Sequence, residues 1–102
     1  MRLGALGLIG LAIASSGCGG VYYAVEVTSA SSRLAEAREL GAEKSAPYEY
    51  YYAKAHLEQA QAEASEASYS DAANLADTAD EYAQKAIEIS QSAKREAAAG
   101  QP

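Results

Sequence analysis

The feature that most constrains the fold is a repeat of small and apolar residues between positions 50 and 67. Its members are Tyr50, Ala53, Leu57, Ala60, Ala64 and Ala67. Successive spacings of three and four residues place all of these side chains on one side of an α-helix, as in a coiled-coil heptad. Alanine has the highest helix propensity and is depleted in β-strands. The repeat therefore predicts a helix that packs closely against a neighbour.

The repeat changes phase near residue 70. Continued from Ala67, it would fall on polar residues, beginning with Asp71 and Asn74. It resumes one residue later, at Ala72, Leu75, Ala76, Ala79, Tyr82, Ala83, Ala86, Ile89 and Ala93. This break favours a turn around residues 68–70, with Ser70 as the N-cap of the next helix. A stutter within one continuous helix would produce the same shift, so both interpretations remain open.

A third helical segment precedes these two. Its stripe has the same spacing and consists of Val27, Ala30, Leu34, Ala37 and Gly41. Pro47 follows, and proline interrupts one helix but is well placed in the first turn of the next. We therefore expect helices at about 21–44, 47–67 and 71–98. The fold class is all-α: an antiparallel three-helix bundle, that is, a long helical hairpin with an additional N-terminal helix.

The first seventeen residues have the pattern of an export signal. Arg2 precedes an apolar run from Leu3 to Ala14, which is too short to span a bilayer but has the length of a signal-peptide core. Ser15, Ser16 and Gly17 then lead to the single cysteine, Cys18. We expect residues 1–17 to be a signal peptide, residues 18–20 to be a modified cysteine with a short tether, and residues 21–99 to be the helical domain.

This arrangement resembles the bacterial lipoprotein signal, in which small residues precede a cysteine that becomes diacylglyceryl-modified. The resemblance implies lipidation of Cys18 and cleavage before it. Ser15 departs from the pattern, because that position usually holds an aliphatic residue. Ordinary cleavage after Ala14 is the alternative, and it would leave a secreted protein with a free thiol. Gly19 is not the aspartate of an inner-membrane retention signal, so in a Gram-negative host we expect the outer membrane.

Charge and residue content exclude several classes of function. The net charge is −6, and it becomes −7 when Arg2 is removed with the leader. An acidic chain without a basic patch argues against nucleic-acid binding. One cysteine and one histidine, His56, provide no metal-ligand spacing and no nucleophile–base pair, and no glycine-rich phosphate loop is present. We expect no enzyme activity, no cofactor, no metal and no small-molecule substrate.

The one unusual cluster is aromatic. Tyr48, Tyr50, Tyr51 and Tyr52 cover more than half of the helix circumference, so they cannot all face one core. Two or three of them are expected to fill the wide end of the bundle, with their hydroxyl groups at its rim. The alternative is that the cluster forms an exposed surface for a glycan or a partner helix.

The stretch from Ala46 to Ile87 resembles a family of bacterial envelope proteins catalogued as domain of unknown function 4398. The matching positions are Ala46, Pro47, Tyr48, Ala53, Leu57, Ala60, Tyr69, Asp71, Ala72, Ala76 and Ala83. The resemblance implies an alanine-rich helical domain. In such families a lipoprotein signal is common, and some members are fused to an OmpA-like peptidoglycan-binding domain.

Two hypotheses for function follow. The first is a membrane-anchored periplasmic lipoprotein that acts as a non-catalytic binding or adaptor module and holds another envelope protein. The second is a structural spacer lipoprotein that self-associates through its alanine repeat.

Overall fold

The computed structural model describes residues 18–100, which form three long helices and one short helix without any strand in that range. Helix α1 is Cys18–Glu39, α2 is Ala42–Ser45, α3 is Pro47–Ser65 and α4 is Tyr69–Ala99. The all-α class is confirmed for this part of the chain. The expected signal peptide, residues 1–17, lies outside the described residues. No helix between residues 18 and 100 combines the length and the apolar character that crossing a membrane requires.

The first helix differs from the expected one at both of its ends. It begins at Cys18, so Gly19 and Gly20 lie in a helical turn where a flexible tether was expected. It ends at Glu39 rather than near Lys44, because Gly41 adopts a left-handed conformation with φ of 82°. Only glycine takes that conformation at no steric cost. Gly41 therefore separates α1 from α2 instead of continuing the stripe of α1.

Helix α3 begins at Pro47, as the sequence predicts, and Glu49 lies in its first turn. Negative charge at that position interacts favourably with the helix dipole. The buried residues of α3 are Tyr50, Ala53, Leu57 and Ala60, the first four members of the predicted repeat.

The turn between α3 and α4 is a Schellman motif built on alanine. The Ser68 N–H donates to the Glu63 carbonyl at 3.0 Å, and the Ala67 N–H donates to the Ala64 carbonyl at 3.0 Å. Ala67 has φ of 62°, a left-handed conformation usually taken by glycine at this position. Helix α4 then begins at Tyr69, and its N-cap residue is Ser68 rather than Ser70.

Helix α4 is packed against both α1 and α3. Its buried residues are Ala72, Ala73, Ala76, Ala79, Ala83, Ala86, Ile87 and Ser90. Contacts between α1 and α4 occur in the same order along both helices. Tyr23 contacts Tyr69, and Ser29, later in α1, contacts Asp80, later in α4. Helix α1 therefore runs in the same direction as α4, whereas α3 returns in the opposite direction.

The core has two clusters. The Leu57 cluster contains Ala30, Leu57 and Ala79, with Val27 and Leu34 packed against it. The Tyr50 cluster lies nearer Pro47, and Leu34 and Leu40 pack against it. Its buried members are Ala37, Ala42, Ala46, Tyr50, Ala86 and Ile87. Because most buried residues are alanines, few large side chains contribute to the hydrophobic stability.

Polar contacts fix the position of α1 and α2 on α4. Ser29 donates to Asp80 at 3.1 Å, and the guanidinium of Arg33 lies 3.3 Å from the same carboxylate. At the other end, Ser45 donates to the Gly41 carbonyl, so its oxygen accepts the proton of the fully buried Ser90 at 2.7 Å. These contacts specify the register between helices whose alanine surfaces are otherwise nearly uniform.

Candidate binding surface

The four consecutive tyrosines of the predicted cluster do not lie on one surface. Tyr50 is buried, at 4% exposure, and belongs to the core. Tyr51 is exposed, and its ring packs edge-on against Tyr50 with centroids 5.0 Å apart. Tyr48 and Tyr52 are one helical turn apart and face α4. The four residues therefore do not form one surface, because Tyr50 packs in the core on a different side of α3 from Tyr48 and Tyr52.

Tyr48 and Tyr52 instead belong to an aromatic cluster that spans α3 and α4, which we call the tyrosine surface: Tyr48, Tyr52, His56 and Tyr82. The Tyr52 ring lies 4.1 Å from Tyr82 and is stacked at 4.1 Å on His56. Tyr48 is 5.7 Å from Tyr52 and approaches the edge of Tyr82 at 6.4 Å. Such offset and edge-to-face pairs are favourable beyond their burial.

The tyrosine surface is partly open to solvent. Tyr48 is 65% exposed, while Tyr52, His56 and Tyr82 are half-buried. All four residues project from helices that pack along their length, so their positions are set by the fold and not by a mobile loop. Rigid aromatic rings of this kind provide large contact areas at a low cost in conformational entropy.

Charged and polar groups border the rings. Lys85 places its ammonium 4.4 Å above the Tyr82 ring and 3.1 Å from the Glu81 carboxylate. The hydrogen bond with Glu81 raises the pKa of Lys85 above its ordinary value, so this cation remains charged. His56 Nδ1 lies 2.9 Å from the Tyr52 carbonyl. Because a carbonyl can only accept, Nδ1 carries a proton.

This arrangement offers fixed aromatic contact area to a binding partner. His56 has a ring and a main-chain carbonyl as its neighbours, and no nucleophile is paired with it. Within residues 18–100, no group of histidine, cysteine and acidic side chains is placed to hold a metal ion. The side chain of Cys18, the expected lipidation site, lies outside the described residues.

His56 and Tyr82 were not predicted from the sequence as parts of this surface. Tyr48, Tyr52 and His56 are spaced by four residues, and that interval places them along one side of a helix. The interval could have identified three of the four residues of the surface. Tyr82 could not be assigned, because its contact with Tyr52 depends on the register between α3 and α4.

The chain was compared with known families. Residues 25–102 match the family described as Domain of unknown function (DUF4398). The chain belongs to this family. The DUF4398 region includes most of α1 and all of α2, α3 and α4, and therefore the whole tyrosine surface. Cys18 precedes it. Neither the curated proteins nor the solved structures compared with the chain contain a match to it.

Proposed function

We propose that this DUF4398 protein is a lipoprotein of the cell envelope that acts as a non-catalytic adaptor and holds another envelope protein. The proposal includes a lipid anchor on Cys18, a position in the outer membrane facing the periplasm, and an antiparallel three-helix bundle as the working domain. The observation that carries it is the tyrosine surface.

Stability alone does not account for the tyrosine surface. Tyr48 contributes little buried area to the core, since it is 65% exposed. Tyrosine is nevertheless enriched at the centres of protein interfaces, where its ring is apolar and its hydroxyl can find a hydrogen-bond partner. Tyr48 is exposed and packs on the rings of Tyr52 and Tyr82, which lie on two different helices. An aromatic surface held in this way is suited to binding a protein partner.

The spacer alternative finds less support in the packing. Self-association through the alanine repeat requires those alanines to be accessible. Ala53, Ala60, Ala76 and Ala83 are instead buried between the helices of one chain. A spacer would have to associate through a different surface.

Photocrosslinking in cells tests the adaptor proposal. Benzoylphenylalanine replaces Tyr48 in one variant and Tyr51 in the control. Tyr51 is an exposed tyrosine on the same helix that lies outside the tyrosine surface. We expect a discrete adduct with another envelope protein from position 48 and none from position 51. An adduct only with a second copy of the chain would favour the spacer, and no adduct at either position would remove the adaptor proposal.

A further inference from the structure

A second feature of the molecule is a groove between α1 and α3, on the side away from α4. Helices α1 and α3 each pack along α4 but meet each other less closely, which leaves a groove of about 170 Å³. Its floor is apolar and consists of Leu34, Tyr50 and Leu57, and its rim carries Arg38 and Lys54. The groove is therefore a short apolar channel with a cation on each wall.

The two rim cations are available to an incoming ligand. Arg38 and Lys54 are both exposed, and neither forms an ion pair within residues 18–100. Glu58 lies one turn from Lys54 on α3 but does not pair with it. By contrast, Arg33 and Lys85 are each held by a carboxylate. In a chain with net charge −6, two unpaired cations beside one apolar floor form a local positive site.

Charge and shape limit what can occupy the groove. A second copy docked groove to groove would place like charges against each other, which is unfavourable at an interface. A bilayer surface cannot enter a channel between two helices. An added helix can lie in it, because the groove runs for about two turns along both neighbouring helices, from position 31 to 38 on α1 and from position 50 to 57 on α3. A fourth helix there would complete a four-helix arrangement.

We propose that the groove binds an acidic amphipathic helix of a partner protein. The helix inserts one large apolar side chain against Leu34, Tyr50 and Leu57, and carboxylates about one turn to either side face Arg38 and Lys54. Recognition of an apolar helix face by a groove is a common mode of peptide binding. The inference goes beyond the proposed adaptor function, because the groove between α1 and α3 is a site separate from the tyrosine surface.

The test uses the full chain in a non-ionic detergent, with benzoylphenylalanine in place of Ala35, an exposed residue of the groove wall. The probes are two synthetic alanine-based helices of about 18 residues, each with one central leucine. Glutamates flank the leucine by one turn on either side in one peptide, and lysines replace them in the other. We expect about tenfold tighter capture of the glutamate peptide, equivalent to ~1.4 kcal/mol. The net charge of the protein acts against this preference, so non-specific attraction would give the reverse.

Charge reversal at the rim decides the mechanism. The double variant R38E/K54E should prefer the lysine peptide, whereas the control K44E, which reverses a cation outside the groove, should keep the preference for glutamate. Circular dichroism verifies folding, and the milder variant K54Q should lose part of the preference if the double variant is unfolded. Equal capture of both peptides, no capture of either, capture of a second copy, or a preference that survives rim reversal would each overturn the inference. Partner capture from position 48 in cells would then still support the adaptor function by itself.

Discussion

Replacement of Leu57 by alanine should cost more stability than replacement of Leu40. Leu57 is 8% exposed and is the one large side chain among the buried residues of its cluster, where Ala30 and Ala79 are its buried neighbours. Leu40 is half-buried at the turn after α1, beside a cluster that also contains Tyr50 and Ile87. Without Leu40, that cluster still contains two large buried side chains. Without Leu57, the buried residues of its cluster are all alanines.

The magnitude follows from the atoms removed and from where Leu57 lies. Truncation to alanine removes three carbons, at ~0.8 kcal/mol each, or about 2.4 kcal/mol of burial. Leu57 also lines the groove between α1 and α3, so the space left behind opens to solvent and adds little cavity penalty. The expected cost is therefore about 2–3 kcal/mol, at the lower end of the usual range for buried leucine. For Leu40→Ala we expect ~1 kcal/mol or less.

Thermal melts followed by circular dichroism measure this difference in stability. The parent protein consists of residues 18–102 with Cys18→Ser. A domain of this size loses about 4–8 °C in melting temperature per kcal/mol, so Leu57→Ala should melt roughly 10–20 °C lower than the parent. Because small domains have only about 5 kcal/mol in total, the variant should lose about half of its free energy of unfolding while remaining mostly folded at 25 °C. Val25→Ala, at an exposed position of α1, is the control and should melt with the parent. Equal small shifts for Leu57→Ala and Leu40→Ala would refute the assignment of Leu57 to the core.

Three further predictions concern the anchor, the hairpin and the two turns. Cys18→Ser should leave the precursor uncut or release the protein from membranes, and mass spectrometry that finds an unmodified N-terminus at Ser15 would contradict lipidation. Spin labels at Tyr51 and Ile89 should report a short separation by electron paramagnetic resonance, whereas one continuous helix would place them about 57 Å apart at 1.5 Å per residue. The left-handed residues should respond in opposite directions in urea unfolding: Gly41→Ala should destabilise by about 1 kcal/mol, and Ala67→Gly should stabilise by up to ~1 kcal/mol. A loss of stability in Ala67→Gly would show that the left-handed turn carries no strain.

Heptad spacing predicted the buried side of α3 because it depends on local geometry alone. Tyr50, Ala53, Leu57 and Ala60 are all buried, and the proline at the start of α3 is equally local. The end of α1 was placed too late for the opposite reason. Gly41 continues the spacing of the stripe, and spacing cannot distinguish a glycine within a helix from one in a left-handed turn.

The turn before α4 shows a second limit of sequence reasoning. No glycine marks it, and the left-handed position is taken by Ala67, which the repeat placed on the buried side of a helix. Local preference argues against that conformation, which costs roughly 1–2 kcal/mol for a residue with a Cβ atom. Packing of α3 on α4 compensates for this cost, and such packing is not visible in local sequence.

The tyrosine surface and the groove depend on contacts between helices, so only fragments of them were accessible from sequence. Four adjacent tyrosines indicated an unusual site, but the structure assigns one ring to the core and one to another side. The repeat predicted Tyr82 only as part of a packed helix side, and Lys54 has no distinctive local pattern, so neither could be assigned to its site from sequence. Their roles arise from the register between helices, which polar pairs such as Ser45 with Ser90 specify.

Within residues 18–100, helix α4 continues well past the last residue that it packs against, Ser45 of α2. Ser90 meets Ser45 at the end of the packed region, yet α4 extends to Ala99, and residues 94–99 are exposed on all sides. Its 31 residues span about 46 Å. Since α1 and α4 run in the same direction, an attachment at the start of α1 holds the far end of α4 roughly that distance away. The length of α4 would thus set the distance between the point of attachment and anything joined to the C-terminal end of α4.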